Sequence, residues 1–299
     1  MSILILGAGE LGTAILTSLA AHPNHPPLTL LLRPSTLNSS DPAKKAEITN
    51  ITSLGISLLP GDILQASSQD LTALFKPFHT IMSATGMTFP AGTQTKICQA
   101  VLAAGVKRYF PWQYGVDYDI IGRDSSQDLF TEQLDVRDLL RAQTGTAWCI
   151  LSTGMFMSFL FEEIFGVVTA GYGRVRALGS WNNKVTVTTV EDIGRVVARL
   201  ACSEPETQGV VHIAGDTISY AELADTVERV TGREVERECW DVDFLKRELQ
   251  RSPGDGMRKY RVVFAEGRGV AWEVEGTWNK RREMGLMGVE EWLRGRVGR

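Results

Sequence analysis

Ile3-Leu4-Ile5-Leu6-Gly7-Ala8-Gly9-Glu10-Leu11-Gly12 is the stretch whose reading decides the fold. A short apolar run passes directly into a G-x-G-x-x-G loop, and residues Glu10–Ala21 then carry small and apolar side chains at helical spacing. In such a strand–loop–helix unit each glycine has its own task. Gly7 permits the tight turn, Gly9 lets the backbone approach a pyrophosphate at the helix N-terminus, and Gly12 allows the helix to pack close to the sheet. The stretch therefore reads as the phosphate loop of a dinucleotide site, with Gly7, Gly9, Glu10, Leu11 and Gly12 as cofactor-binding residues.

Working outward, His22-Pro23-Asn24-His25-Pro26-Pro27 breaks the helix. Leu28–Leu32 follows as a nearly continuous apolar run, the pattern of a strand covered on both faces. It ends at Arg33-Pro34-Ser35-Thr36. Dinucleotides with a free ribose 2′-hydroxyl are met by an acid at this strand end. Here a guanidinium stands in its place, a charged fork that suits a 2′-phosphate, and Ser35 adds a hydroxyl. The expected cofactor is NADPH/NADP rather than NAD.

Shorter strand candidates recur at Ile56–Leu59, Thr80–Ser83, Arg108–Phe110 and Trp148–Leu151, with helical patterns clearest at Gln94–Ala104 and Asp128–Gln143. This alternation predicts an α/β fold: a Rossmann-type, doubly wound parallel sheet. Ligands of such sheets bind outside the carboxyl ends of the strands. That rule adds Asp62 after the third strand and Ser83, Ala84, Thr85 and Gly86 after the fourth. It also adds Gln113 after the fifth, and Thr153, Gly154, Met155 and Phe156 after the sixth.

Beyond Leu151 the rhythm loosens. Phe156–Phe165 is dense in aromatics, Gly166–Gly179 reads as loops and short strands, and Val185–Val187, Val190–Leu200, Val210–Ile213 and Tyr220–Thr231 alternate strand and helix again. The expected organisation is a dinucleotide-binding domain over residues 1–155, with contributions from about 184–214. A smaller α+β substrate lobe takes 156–183 and 215–299.

Composition excludes more than it specifies. A chain of 299 residues, 43% hydrophobic, can bury a large core. A net charge of −4 points to no bulk electrostatic partner, and the basic excess after Lys246 is not clustered, so no nucleic acid is expected. Cys98, Cys149, Cys202 and Cys239 have neither metal nor disulfide spacing. No apolar run approaches the roughly 20 residues of a membrane span, and nothing resembles a signal peptide. The expectation is a cytoplasmic monomer or homodimer without a metal.

Gly7–Gly12, Arg33, Gly61-Asp62, the run Val106-Lys107-Arg108-Tyr109-Phe110-Pro111-Trp112-Gln113-Tyr114-Gly115 and the segment Asp128–Arg141 together resemble the NmrA-like and isoflavone-reductase-like proteins, atypical short-chain dehydrogenases/reductases. Pro111–Asp119 and Glu132–Arg137 look like the fungal branch. The resemblance implies an NADPH-binding domain, a smaller C-terminal lobe and a small organic substrate. Plant reductases of the group use a lysine three residues before the apolar residue of an apolar–arginine pair. Here that pair is Val136-Arg137, so the matching position is Gln133. Its amide can hydrogen-bond a carbonyl or a nicotinamide ribose but cannot donate a proton as an acid.

None of the six tyrosines has a lysine four residues on, so the ordinary Tyr-x-x-x-Lys relay is also absent. Candidates for the chemistry are then Gln133, with the phenols of Tyr114 and Tyr118 as proton donors; Asp117 and Asp119 would need raised pKa values. Met155, Phe156, Phe159, Phe161 and Trp181 read either as core or as the wall of a pocket for an apolar or aromatic substrate. Two functions follow. One is an NADPH-dependent reductase of a C=C, C=N or C=O bond in secondary metabolism, which could couple reduction to cyclisation. The other is a non-catalytic NADP(H)-sensing regulator that acts through a protein partner.

Overall fold

A computed structural model describes residues 1–297. The first half runs β1 (Ile3–Leu6), α1 (Glu10–Ala20), β2 (Leu28–Leu32), α2 (Pro34–Leu37), α3 (Pro42–Ser53), β3 (Ser57–Pro60), α4 (Ser68–Phe75), β4 (Thr80–Ser83), α5 (Thr93–Ala103), β5 (Arg108–Phe110), α6 (Tyr118–Ile121), α7 (Leu129–Arg141) and β6 (Ala147–Ser152). It continues with β7 (Met155–Phe156), β8 (Arg174–Leu178), β9 (Lys184–Thr188), α8 (Val190–Cys202), β10 (Gly209–His212), β11 (Asp216–Ser219), α9 (Tyr220–Thr231), β12 (Glu236–Trp240), α10 (Val242–Arg251), α11 (Gly256–Glu266) and α12 (Val289–Arg294). Among the described residues no helix is long and apolar enough to cross a membrane.

A seven-stranded sheet has the order β10-β6-β5-β4-β1-β2-β3. Strand β1 lies inside it, in parallel register with β2 from Ile3 to Leu6 and with β4 over the same residues. All four of its residues are buried, which is why the strand is apolar throughout rather than alternating. Edge strand β3 has exposed ends at Ser57 and Pro60 and only partly buried leucines between them. The expected doubly wound parallel α/β architecture is the one observed, and the predicted strands fall within a residue or two of the observed ones.

The chain divides into two compact units, each assembled from separated segments. The first comprises Met1–Gln113, Asp135–Ile150 and Ile193–Val210. Its core includes Leu4, Leu6, Phe75, Ile81, Ile97, Val101, Tyr109 and Ile150, all fully buried. At its chain entry, Gly7 has φ +98, and a Cβ there would lie 2.6 Å from Cβ of Thr85. A Cβ on Gly12 would lie 2.1 Å from the Gly7 carbonyl oxygen, so α1 rests directly on the turn that launches it. Arg108 is buried in this unit and donates to the carbonyls of Leu200 and Thr207, both at 3.0 Å.

The second unit comprises Tyr114–Leu134, Leu151–Asp192 and the chain from Val211 onward. It holds a three-stranded sheet β11-β9-β7 and a two-stranded parallel pair β12-β8. Its core gathers Phe165, Val185, Val187, Leu223, Val227 and Val263, with Phe159, Phe161 and Trp181 packed against it. Phe159 tilts onto Phe165 with centroids 4.7 Å apart, and Phe161 stacks on Trp292 at 4.7 Å. Helix α9 starts with a capping box in which Ser219 and Glu222 each accept the other's backbone N–H, and it ends at Gly232 in the left-handed region.

Gly154 follows β6 at φ +71, and a Cβ there would stand 2.1 Å from the Thr186 carbonyl oxygen. Both the dihedral and the space require glycine. Gly154→Ala is expected to lower stability by about 3 kcal/mol in urea denaturation. Gly276→Ala meets nothing within 4 Å and is expected to stay within about 0.5 kcal/mol.

Candidate functional site

A groove of about 450 Å³ opens in the first unit beside the glycine loop. Its floor is Gly7, Ala8 and Gly9, with Leu31, Leu32 and Arg33 on one side. Gly61, Asp62, Thr85, Thr88 and Phe89 close other parts of the wall, and Lys44 and Glu47 reach it from α3. The groove thus joins five predicted cofactor residues: Gly7, Gly9, Arg33, Asp62 and Thr85.

The three glycines of the loop do different work. Gly7 and Gly12 are required by the protein's own packing, whereas a Cβ on Gly9 would meet nothing within 4 Å. The bare backbone at Gly9 therefore faces open space, which is the property a closely approaching ligand needs. Gly9 is also the N-cap of α1 and supplies no capping side chain. The positive end of the helix dipole is thus left to the groove, where it favours an anion.

Charge in the groove comes from four side chains. Arg33 is exposed at the end of β2. Lys44 stands 3.4 Å from Glu47, one helical turn away on α3. Asp62 folds back on its own turn: Oδ1 accepts the backbone N–H of Leu64 at 2.9 Å and of Gln65 at 3.3 Å. The sequence reading did not find Lys44 and Glu47. Helix α3 buries only Ile51, so it has no apolar stripe to announce it.

The other predicted residues of this unit do not line the groove. Leu11 and Gly12 are buried residues of the first turn of α1, which also carries Glu10. Ser35 is exposed on α2, with Thr36 taking the place in the groove. Ser83 and Ala84 are buried at the end of β4, and the Ser83 hydroxyl has no hydrogen-bond partner. Gly86 is pressed against Gln94 and Trp112, where a Cβ would come within 2.5 Å of the indole. Gln113 is almost wholly buried, and its side-chain carbonyl accepts from Nε of the equally buried Arg137 at 2.8 Å.

The second unit holds the remaining candidates. Gln133 lies on α7 and is 1% exposed. Tyr114 and Tyr118 are also buried, and Tyr118 meets Phe130 edge-on with centroids 4.9 Å apart. Gly115 ties two loops together, its carbonyl accepting the N–H of Thr153 at 2.9 Å and of Gly154 at 3.0 Å. Thr153 is buried, and its carbonyl accepts from the hydroxyl of Thr188 at 2.7 Å. Met155 and Phe156 form β7, paired with β9. A cavity of about 330 Å³ in this unit is lined by Ile121, Gly122, Asp124, Ser125, Val263, Glu266 and Arg268, and by none of the predicted residues.

His212, the last residue of β10, places its Nε2 2.9 Å from Oδ2 of Asp117. Oδ1 of Asp117 accepts the N–H groups of Asp119 and Ile120, and the imidazole meets Trp272 edge-on at 4.9 Å. Asp117 thus ties His212 to the first turn of α6. No group of three or more metal-ligating side chains occurs among the described residues, and all four cysteines are free thiols.

Two outcomes are expected. His212→Leu removes the donor at Oδ2 of Asp117 and should cost about 1–2 kcal/mol in chemical denaturation. Burial pushes the Cys98 and Cys149 thiols up to about 12, so both stay protonated at neutral pH. A disulfide reagent at pH 8 should label exposed Cys239 first, and Cys98 and Cys149 only on unfolding.

Comparison with known proteins accords with this geometry. The NmrA-like family matches residues 1–293. A protein of Gibberella moniliformis described as an NmrA-like family domain-containing oxidoreductase is 50% identical over 298 residues, 98% of this chain and 97% of that protein. The crystal structure of an isoflavone reductase superposes with a TM-score of 0.82 at 24% identity, covering 99% of each chain. A leucoanthocyanidin reductase–NADPH complex from Vitis vinifera gives 0.79 at 20% identity, covering 98% of each. The match spans both units and the glycine loop alike, and this chain belongs to the NmrA-like family.

Proposed function

We propose that this chain is an NADPH-dependent reductase of a small apolar or aromatic organic substrate. The observation that carries the reading is the groove itself, where open space over Gly9 and the uncapped start of α1 meet the cations Arg33 and Lys44. Backbone N–H groups at a helix start suit a pyrophosphate, and the cations Arg33, after β2, and Lys44, on α3, suit a 2′-phosphate. The oxidoreductase description of the 50% identical relative and the NADPH bound by the leucoanthocyanidin reductase point the same way.

When bound, NADPH supplies a hydride. The chain's own part is to fix the dinucleotide and to stabilise or protonate the anion that develops on the substrate. Gly7, Gly9, Arg33, Lys44 and Asp62 are assigned to holding the cofactor. Gln133, Tyr114 and Tyr118 are assigned to the substrate side, with Gln133 donating a hydrogen bond through its amide and a phenol supplying the proton. The acceptor is a C=C, C=N or C=O bond, and the setting is cytoplasmic secondary metabolism. Aromatic substrates fit the isoflavone reductase likeness.

A second reading has one observation in its favour. Gln133, at the position matching the plant lysine, is buried and has no acidic proton. A protein that binds NADP(H), distinguishes its redox states and passes that state to a protein partner needs no proton donor.

Arg33→Asp should shift binding from NADPH toward NADH, read as Kd by calorimetry, with about tenfold or greater loss for NADPH. Equal loss of both cofactors, or of neither, would sink the assignment. Gln133→Ala should lower turnover with aryl ketone, enone or imine probes while leaving NADPH affinity within about twofold. Tight NADPH binding without consumption of any probe would favour the regulator.

A further inference from the structure

We propose that Glu47 is a specificity-setting carboxylate of the groove: it holds Lys44 in the free protein and must yield it to a 2′-phosphate. The inference rests on the NADP(H) reading and concerns how strongly the groove prefers that cofactor.

Helix α3 places Lys44 and Glu47 at i,i+3, and both side chains reach the groove that also takes in Arg33. The Lys44 ammonium donates to Oε2 of Glu47 at 3.4 Å. The charged side chains on the groove wall are Arg33 and Lys44 against Glu47 and Asp62, so the wall is balanced before any ligand arrives. The two carboxylates are not equivalent. Oδ1 of Asp62 is committed to backbone N–H groups of its own turn. Glu47 instead faces a cation that a phosphate could use.

A phosphate monoester carries close to two negative charges near neutral pH and makes its strongest contacts with charged donors. Entering beside Arg33, it competes with Glu47 for Lys44 and stands near a carboxylate of its own sign. The pair is open to water, with Lys44 52% and Glu47 35% exposed, so it is weak and readily exchanged. Glu47 therefore trims affinity for the phosphorylated dinucleotide without blocking it. A dinucleotide with a 2′-hydroxyl makes no demand on Lys44 and is not affected. Arg33 opens a gap between NADPH and NADH, and Glu47 narrows it.

Helix α3 tolerates the changes needed to test this. It buries only Ile51, and its N-terminus is capped independently by Asp41, which accepts from Ala43 at 2.8 Å. Dissociation constants for NADPH and NADH would be measured by calorimetry for wild type, Glu47→Gln, Lys44→Met and the double variant, at low and high salt. Glu47→Gln is expected to tighten NADPH binding about threefold, to leave NADH unchanged and to lose the gain at high salt. In the Lys44→Met background the gain should shrink, because the contested cation is gone. Unchanged or weaker NADPH binding in Glu47→Gln, or an equal gain for both cofactors, would overturn the proposal. A wild-type protein with no preference for NADPH, or a preference untouched by Arg33→Asp, would remove the NADP(H) reading and this proposal with it.

Discussion

The contact between Gly12 and the carbonyl of Gly7 is the constraint on which the rest depends. Any side chain at residue 12 would overlap that oxygen. With none, α1 sits down on the turn and buries Leu11, Ile15, Leu16 and Leu19. The same contact fixes where the helix begins, and hence where its first N–H groups point. Packing and binding are therefore set by one close approach. Gly9, next along the loop, is free of packing demands, and its bareness is what the groove uses.

Much of this was legible in the sequence, and for a physical reason. Strands covered on both faces favour apolar side chains, so β1 and, apart from Thr29, β2 announce themselves, whereas β4 buries Thr80 and Ser83 at its ends and is read from its place in the alternation. Glycines forced by sterics also leave a pattern, and Arg33 was readable because it follows a strand that can be counted from the loop. Helix α3 was not legible. A helix that buries one residue leaves no periodic trace, and the two charges it lends to the groove stayed hidden with it. Gln113 illustrates a different limit. Its place after β5 suggested a ligand, but the buried guanidinium of Arg137 accounts for its side-chain oxygen. That partner comes from α7, and no local pattern reports it.

The second unit was harder to read because its pairings are remote in sequence. Strands β8 and β12 run parallel, with Arg174 opposite Glu236 and Arg176 opposite Glu238. Both pairs are salt-bridged, at 2.5 and 2.7 Å, and Arg176 also lies over the ring of Trp240 at 4.8 Å. Each strand alone is short and charged, and only the pairing makes sense of the alternation. The aromatic stretch after Phe156 is likewise explained by packing. Phe159 and Phe161 are spent on Phe165 and Trp292.

Arg108 brings a last consequence, in the order of synthesis. The first unit is not contiguous: it needs Ile193–Val210 as well as the amino-terminal segment. Until that stretch leaves the ribosome, the two terminal nitrogens of Arg108 lack the Leu200 and Thr207 carbonyls to which they donate. The sheet lacks its terminal strand β10 for the same interval. The nascent dinucleotide-binding region is thus held incomplete, with an exposed sheet edge, while dozens of further residues are made. A gene cut after the sixth strand would encode all of the glycine loop and none of this closure.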